Sequence, residues 1–420
     1  MVDSLKNNFF ILPALLLALL LYGGFLRVQK AAPYRSLIPA SSAAVFEGRV
    51  VGNPVKIHGR RPAYKVTLDL SRAWSKQGVA AEASGQADFF LPAELCEIHK
   101  PGKLYTAWRG KADGFLLDSG AVVQLEANEE RAAAFESREI LSCRWPKGFW
   151  GGLQKIRALS RLHFARLMYA WGSAGGLLLA LLSGERSYLA KELSDAFRTA
   201  GLSHILALSG MHLSLFGGLA FALGKRAGGK KIALALEFFC MAAFVWFAGK
   251  SPSLFRAMLC SLCALFYSLF KVRAKSGLNS LSLAFVVHVS LFPADALELS
   301  FMLSYGALAG ILSFNEIFSS RIAKALPGGA GAGLGASAGA QLFTAPISLK
   351  FFGLAAPGGV LSSAAVSPLA TVFIYAGLFF VLLSLAFPPA APFCGALLSV
   401  LYQAIRRSVL FFAQIPCVKI

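Results

Sequence analysis

Charge is what this chain has least of. Only 15% of its 420 residues are Asp, Glu, Lys or Arg, where a soluble domain carries about a quarter. Acidic side chains are the scarcer kind, 21 against 41 basic ones. Histidine is sparse at six residues, and the seven cysteines show no zinc-ligand spacing. Cys260 and Cys263 have the CxxC interval but lie within an apolar run, where they read as helix packing. No HxHxDH-like cluster occurs, so no bound metal, metal-nuclease site or cofactor is expected. No small-x-small cleavage site closely follows the first apolar run, which favours a retained anchor over a cleaved leader. No inverted internal repeat is visible, which counts against a repeat-built transporter. What abounds is hydrocarbon: 56% hydrophobic residues and a mean hydropathy of +0.61, with long apolar runs from Phe9 and again from Met168 onward. That is the pattern of a polytopic α-helical membrane protein.

The scarce charge is unevenly placed. Residues 1–35 hold four basic and one acidic residue, residues 36–148 hold 15 and 13, and residues 149–420 hold 22 and 7. The basic excess therefore belongs to the apolar part. Cytoplasmic loops obeying the positive-inside rule explain it, and so does a basic path for a polyanion such as DNA. The lysines cluster in short loops, which favours the first explanation.

Three regions follow in order. Residues 1–35 carry a membrane anchor, with an apolar span over 9–26 flanked by Lys6 and by Arg27, Lys30 and Arg35. Residues 36–148 change period to two, with strand-length pieces at 44–51, 63–70, 85–91, 104–109 and 120–125, which suits a small extracytoplasmic all-β domain of the OB type. Its aromatics Tyr64, Trp74, Phe89, Phe90, Tyr105 and Trp108 are candidates for base stacking or for an ordinary barrel core. Cys96 and Cys143 are either one disulfide of an oxidising compartment or two free thiols. Residues 149–420 form the multi-span region. It opens on 149–168, where Lys155, Arg157, Arg161 and Arg166 alternate with apolar residues as in a basic amphipathic helix on a membrane surface. Spans are expected near 168–183, 203–223, 232–249, 254–270, 278–292, 299–318, 333–349, 359–386 (with a break at Pro368 open) and 393–412. Basic loops at 225–231 and 271–275, with Arg321 and Lys324, belong in the cytoplasm. With the β domain outside, two ordinary crossings before residue 225 would put the first of those loops on the wrong side. Residues 201–223 are the best candidate for a broken or re-entrant segment, because Gly201 and Gly210 bracket a half-segment rich in polar groups. A half-span at 168–183 is the other solution.

Residues 182–186 (LSGER), then Phe197 and Arg198, then residues 200–212 (AGLSHILALSGMH) resemble the signature of ComEC-type competence proteins, a run close to FRxAGLxHLLAxSGxH. Further pieces agree in order. They are Ser251, Pro252 and Ser253 with Arg256 and Ala257; residues 300–305 (SFMLSY); Ala340 and Gln341 with Ala345 and Pro346; residues 351–353 (FFG); and residues 367–369 (SPL). Where the family tends to have Asn before the late proline, this chain has Ser362, Ser363 and Ala364. The resemblance implies a multi-pass protein of the bacterial cytoplasmic membrane that passes single-stranded DNA inward during natural transformation. It also implies partners: membrane lipid, a DNA-receptor protein, a cytoplasmic ATPase or helicase, and a separate nuclease. The family's further metallo-β-lactamase-like domain has no counterpart up to Ile420, so the resemblance is to the form without it.

Arg198 and Arg256 are the candidates for phosphate contact, because guanidinium forks match phosphate oxygens. His204 and His212, eight residues apart, share a face if their helix is unbroken; they either line a constriction or satisfy carbonyls freed by a break. Ser209, Ser253, Ser304, Tyr305 and Gln341 line a polar pore or act as interhelix glue worth about 1 kcal/mol or less each. Two other classes stay open. Residues 207–210 (ALSG) are similar to a shifted serine-protease GxSG, with His288 as a base. A small-solute transporter built on a broken helix is the other.

Overall fold

The computed structural model describes residues 10–26, 28, 32–57, 62–97, 115–127, 129–131, 134–208, 210–249, 251–270, 276–322, 330–355, 358–415 and 418–419. The strand expected at 104–109 with Tyr105 and Trp108, the basic loop at 271–275, and Ser209 lie outside them. The chain divides into two units: residues 31–189 with 378–399, and residues 1–30, 190–377 and 400–420. The first element, α1 (Ile11–Tyr22), belongs to the second of these.

Alternation builds the first unit. Its strands are β1 (Arg35–Ser36), β2 (Ala43–Ile57), β3 (Ala63–Ser75), β4 (Ala80–Ser84), β5 (Gln86–Pro92), β6 (Val122–Glu126), β7 (Glu129–Arg131), β8 (Ala134–Glu136) and β9 (Ile140–Arg144). Along β3, Tyr64, Val66, Leu68 and Leu70 are buried while Lys65, Thr67 and Asp69 point outward, the period-two pattern of a one-sided sheet. The sheet order is β7-β8-β5-β3-β2-β6-β9, with β4 paired to β3 and β1 to β4. All pairs are antiparallel except β5 with β8. Four of the five expected strands are present, and β1, β4, β7, β8 and β9 add to them; these are short pieces, too brief to show alternation. Phe46, Phe89 and Phe135 meet at centroid distances of 4.6–5.4 Å in the core. Phe89 and Tyr64 are thus core residues, 0% and 4% exposed, unavailable for base stacking.

Cys96, in the short helix α2 (Ala93–Cys96), and Cys143 stand as free thiols in this structure. The Cys143 thiol donates to the Leu116 carbonyl at 3.5 Å. Burial pushes the Cys96 thiol up to about 12 and Cys143 up to about 11, which keeps both protonated and unreactive near neutral pH.

Helix α3 (Phe149–Ala170) corrects the amphipathic expectation. Its arginines turn inward: Arg157 and Arg166 are 7% and 4% exposed, whereas Phe149 and Trp150 are 77% and 74% exposed. For Arg157 the cause is one buried carboxylate. Asp118 accepts from Arg157 at 2.8 Å and lies 3.3 Å from Arg161, and Arg157 also donates to the Asn53 side chain at 3.0 Å. Arg161 reaches Glu185 of the LSGER stretch at 3.9 Å. Charge partners, not hydrophobic spacing, set which face is inside. After a turn at Gly172 (φ +61°) comes α4 (Gly172–Ser183), buried from Ala174 on. Its 12 residues rise about 18 Å, short of the roughly 30 Å hydrocarbon core, so the span expected at 168–183 is a short buried helix.

The second unit continues with α5 (Lys191–Thr199), α6 (Ser203–Leu206), α7 (Gly210–Ala248), α8 (Pro252–Leu269), α9 (Gly277–Leu291), a 3-10 turn (Pro293–Leu297), α10 (Leu299–Ile322), α11 (Ala330–Phe352), α12 (Gly359–Ala386) and α13 (Ala391–Phe412). A two-stranded pair joins β10 (Leu354–Ala355) to β11 (Val418–Lys419). Among the described residues, three stretches are long and apolar enough to cross a membrane: α7, α12 and Pro388–Phe412. Helix α7 doubles back on itself at Gly228 and Gly229, the latter at φ +79°. A Cβ on Gly224 would come 2.6 Å from Ala233 Cα, and one on Gly217 would touch Met241 and Glu237, so the arms pack antiparallel through small residues. The basic loop expected at 225–231 is therefore a two-residue turn between helical arms, with Lys225, Arg226, Lys230 and Lys231 exposed around it. Helix α12 runs unbroken through Pro368, since losing one backbone bond costs less in apolar surroundings than unwinding a whole turn. Helix α1 packs against α9 and α10 through Leu281, Phe285, Phe301 and Tyr305, and Tyr22 donates to the Ala296 carbonyl at 2.9 Å.

Candidate functional site at a helix break

The site is built around the interruption between α5 and α7. Helix α5 ends in a Schellman motif: Gly201 (φ +74°) donates to the Arg198 carbonyl at 3.1 Å and Leu202 to Phe197 at 2.7 Å, which satisfies carbonyls that a helix end leaves open. One turn of helix follows as α6. Ala207 is then extended at φ −77°, ψ 136°, and α7 starts at Gly210. The break expected between Gly201 and Gly210 is present in the backbone, and it separates the two histidines. His204 lies on α6, exposed, and His212 is fully buried in α7, so they share no continuous helix face.

Each side of the break meets a different group of helices. On the upstream side, Ser362 donates to the Ala200 carbonyl at 2.6 Å and lies 3.2 Å from the Gly359 carbonyl. Ser363 lies 3.5 Å from His204 Nε2. A Cβ on Gly359 would touch the Gln341 amide at 3.5 Å and Gly201 Cα at 3.6 Å. Ser362 and Ser363 thus tie α12 to the end of α5 and to α6, and Gln341 stands at the same junction.

On the downstream side stands Arg256, held by α8, which starts cleanly because Pro252 occupies its first turn. The Arg256 side chain is 8% exposed. Its Nε donates to Ser304 Oγ at 2.8 Å, and its Cζ lies 6.0 Å from the Tyr305 ring centroid. Its Nη2 is so near the start of α7 that a Cβ on Gly210 would come within 3.1 Å of it. Ser253, one turn earlier, donates to the Ser300 carbonyl at 3.4 Å. Tyr305 Oη lies 3.1 Å from the Ala284 carbonyl and 3.2 Å from His288 Nδ1, and His288 Nε2 lies 3.2 Å from Asp295 Oδ2.

Of the nine predicted channel residues, Ser253, Arg256, Ser304 and Tyr305 come together beside Gly210, and His204 and Gln341 gather on the upstream side. Arg198 stays exposed on α5, and Ser209 lies outside the described residues. Sequence reading missed Ser362 and Ser363 as a link, and Asp295 altogether. It noticed His288 only as a protease base. A polar residue in mid-helix and an acid just past a proline were the available signals. Chemically, the downstream cluster is a desolvated guanidinium at the N-terminal end of a helix, an arrangement that favours an anion.

A description of the competence protein family matches residues 181–420, more than half of the chain and all nine residues just discussed. ComE operon protein 3 of Bacillus subtilis is 32% identical over 179 residues, 42% of this chain and 22% of that protein. Recombination protein 2 of Haemophilus influenzae is 31% identical over 150 residues, 33% of this chain and 19% of that protein. The matched stretch spans about a fifth of the length of each relative. No solved structure matches. The chain belongs to the competence protein family.

Proposed function

We propose that the protein is a channel of the bacterial cytoplasmic membrane that passes single-stranded DNA inward during natural transformation. The observation that carries this is Arg256. Among the described residues it pairs with no carboxylate, and yet it is buried against a helix start. A buried charge without a partner costs several kcal/mol, and in membrane segments such groups mark the path of what is carried. A DNA phosphate supplies the missing charge and suits a guanidinium fork. The basic excess of residues 149–420, 22 against 7, gives the path the sign a polyanion needs.

In this reading the β domain is an extracytoplasmic OB-type module. A receptor delivers DNA to it, a cytoplasmic ATPase or helicase draws the strand in, and a separate nuclease removes the other strand. The chain itself performs no hydrolysis. Both ring nitrogens of His288 lie at hydrogen-bond distance from Asp295 and Tyr305, which speaks against its serving as the base of a serine protease. The test is transformation by Arg256→Ala at unchanged protein abundance. It should fall about 30-fold or more, the loss of roughly 2 kcal/mol of charge-assisted hydrogen bonding. Arg256→Lys should keep part of it. Wild-type uptake in Arg256→Ala would remove the residue from the path.

A further inference from the structure

The turn of α7 carries four exposed cations, Lys225, Arg226, Lys230 and Lys231, and among the described residues none of them pairs with a carboxylate. Lys230 and Lys231 open the second arm of the hairpin. From there Lys230, Leu234, Glu237 and Met241 recur at intervals of four, three and four residues, which puts them on one helix face, with Lys231 and Phe238 beside it. That face meets α8. Farthest from the turn, Met241, Phe244 and Ala248 share a buried cluster with Leu254 and Ala257 of α8. Nearer the turn the two helices leave a groove of about 120 Å³, lined by Leu234, Phe238, Met241 and Ala264, with Glu237 and Ser261 as its polar side chains.

Charge and groove thus occupy two ends of one stripe, and their separation has a meaning in a bilayer. Between Lys230 and Met241 the helix rises about 16 Å, close to half of a hydrocarbon core roughly 30 Å thick. Lysine ammonium groups reach along their stems to the polar interface, while the groove below them lies at acyl-chain depth. An apolar cavity of about 150 Å³ holds a benzene molecule, so this groove has room for a stretch of hydrocarbon chain. Glu237 is the one acidic residue of α7 and α8, and the end of the hairpin keeps a positive balance. A polyanion in water would use the cations and leave the groove empty. A neutral lipid would use the groove and leave the cations idle. An anionic phospholipid uses both.

We propose that the second arm of α7 and the facing side of α8 form a site for one anionic phospholipid, its phosphate on Lys230 and Lys231 and an acyl chain in the groove. The test is native mass spectrometry of the full chain in mild detergent, titrated with dioleoyl phosphatidylglycerol or dioleoyl phosphatidylcholine. The wild-type chain should bind phosphatidylglycerol about 30-fold more tightly than phosphatidylcholine, the effect of two cations near one phosphate. Lys230→Gln combined with Lys231→Gln should remove that preference and leave phosphatidylcholine binding unchanged. Ala264→Phe places a ring in the groove, and should weaken both lipids alike while keeping the preference. Lys230, Lys231 and Ala264 are all exposed, so neither variant removes a buried contact, and the two signatures differ from each other and from a general loss of fold. Equal binding of the two lipids by the wild-type chain, or an undiminished preference in the double lysine variant, overturns the headgroup assignment. Wild-type binding of phosphatidylglycerol by Ala264→Phe shows diffuse attraction to the cations and overturns the site. Displacement of phosphatidylglycerol by added oligothymidylate would give the lysines to nucleic acid and overturn it as well.

Discussion

Arg256 and Arg157 are both guanidinium groups out of water, 8% and 7% exposed, and they differ in what they meet. Arg157 has Asp118 at 2.8 Å and Asn53 at 3.0 Å; Arg256 has a hydroxyl, a ring face and a helix start. A satisfied ion pair holds parts together, whereas Arg256, which pairs with no carboxylate among the described residues, is the cation proposed above to meet a phosphate. Removing one partner of a buried pair costs about 3–5 kcal/mol, more than replacing the pair by apolar groups. Asp118→Asn should therefore destabilise the β domain by about 3 kcal/mol or more. The double change Arg157→Met with Asp118→Leu should cost less, because Arg161 keeps Glu185. Denaturant midpoints followed by the β-sheet circular-dichroism signal would measure both. A polar residue in an apolar run announces itself, so Arg256 was legible in the sequence. Asp118 was not, because an acid in a loop is ordinary until folding brings two arginines to it.

At the scale of elements, small residues decide what packs. A Cβ on Gly310 would collide with the Gly339 carbonyl oxygen at 2.1 Å, where α10 meets α11, and one on Gly224 would come 2.6 Å from Ala233 Cα within the α7 hairpin. Gly218, on the same helix, has nothing within 4 Å of where its Cβ would sit. Gly224→Ala and Gly310→Ala should each lower stability by about 1–3 kcal/mol, the usual cost of overpacking, while Gly218→Ala should be neutral. Thermal unfolding of the three variants in one detergent would rank them. The helix break was readable, since Gly201 and Gly210 frame polar residues in an apolar stretch. The turn of α7 was read as a seven-residue basic loop, because charge marks a loop in a sequence whereas the backbone needed only Gly228 and Gly229 to reverse. The inward arginines of α3 were misread for a related reason: helical spacing states which residues share a face but not which face finds a carboxylate.

At the scale of the whole molecule, charge predicts the membrane side. The positive-inside rule predicts that the four exposed cations around the α7 turn, Lys225, Arg226, Lys230 and Lys231, face the cytoplasm. A maleimide that cannot cross membranes should then label Lys230→Cys only after lysis, in a background free of other cysteines. Gln77→Cys, exposed in the turn after β3, should be labelled in intact spheroplasts. The reverse pattern would invert the topology. Composition and periodicity by themselves determined that the chain is membrane-embedded, that a β domain precedes the spans, and that a helix breaks near residue 207. Each of these depends on transfer of residues between water and hydrocarbon, which adds up locally along a chain. Only the tertiary structure decided that Arg256 faces Gly210, that Asp295, His288 and Tyr305 join behind it, and that Ser362 reaches Ala200. Those contacts join residues up to 162 positions apart, and hydrogen bonds and charge pairs depend on distances that only the packed chain sets.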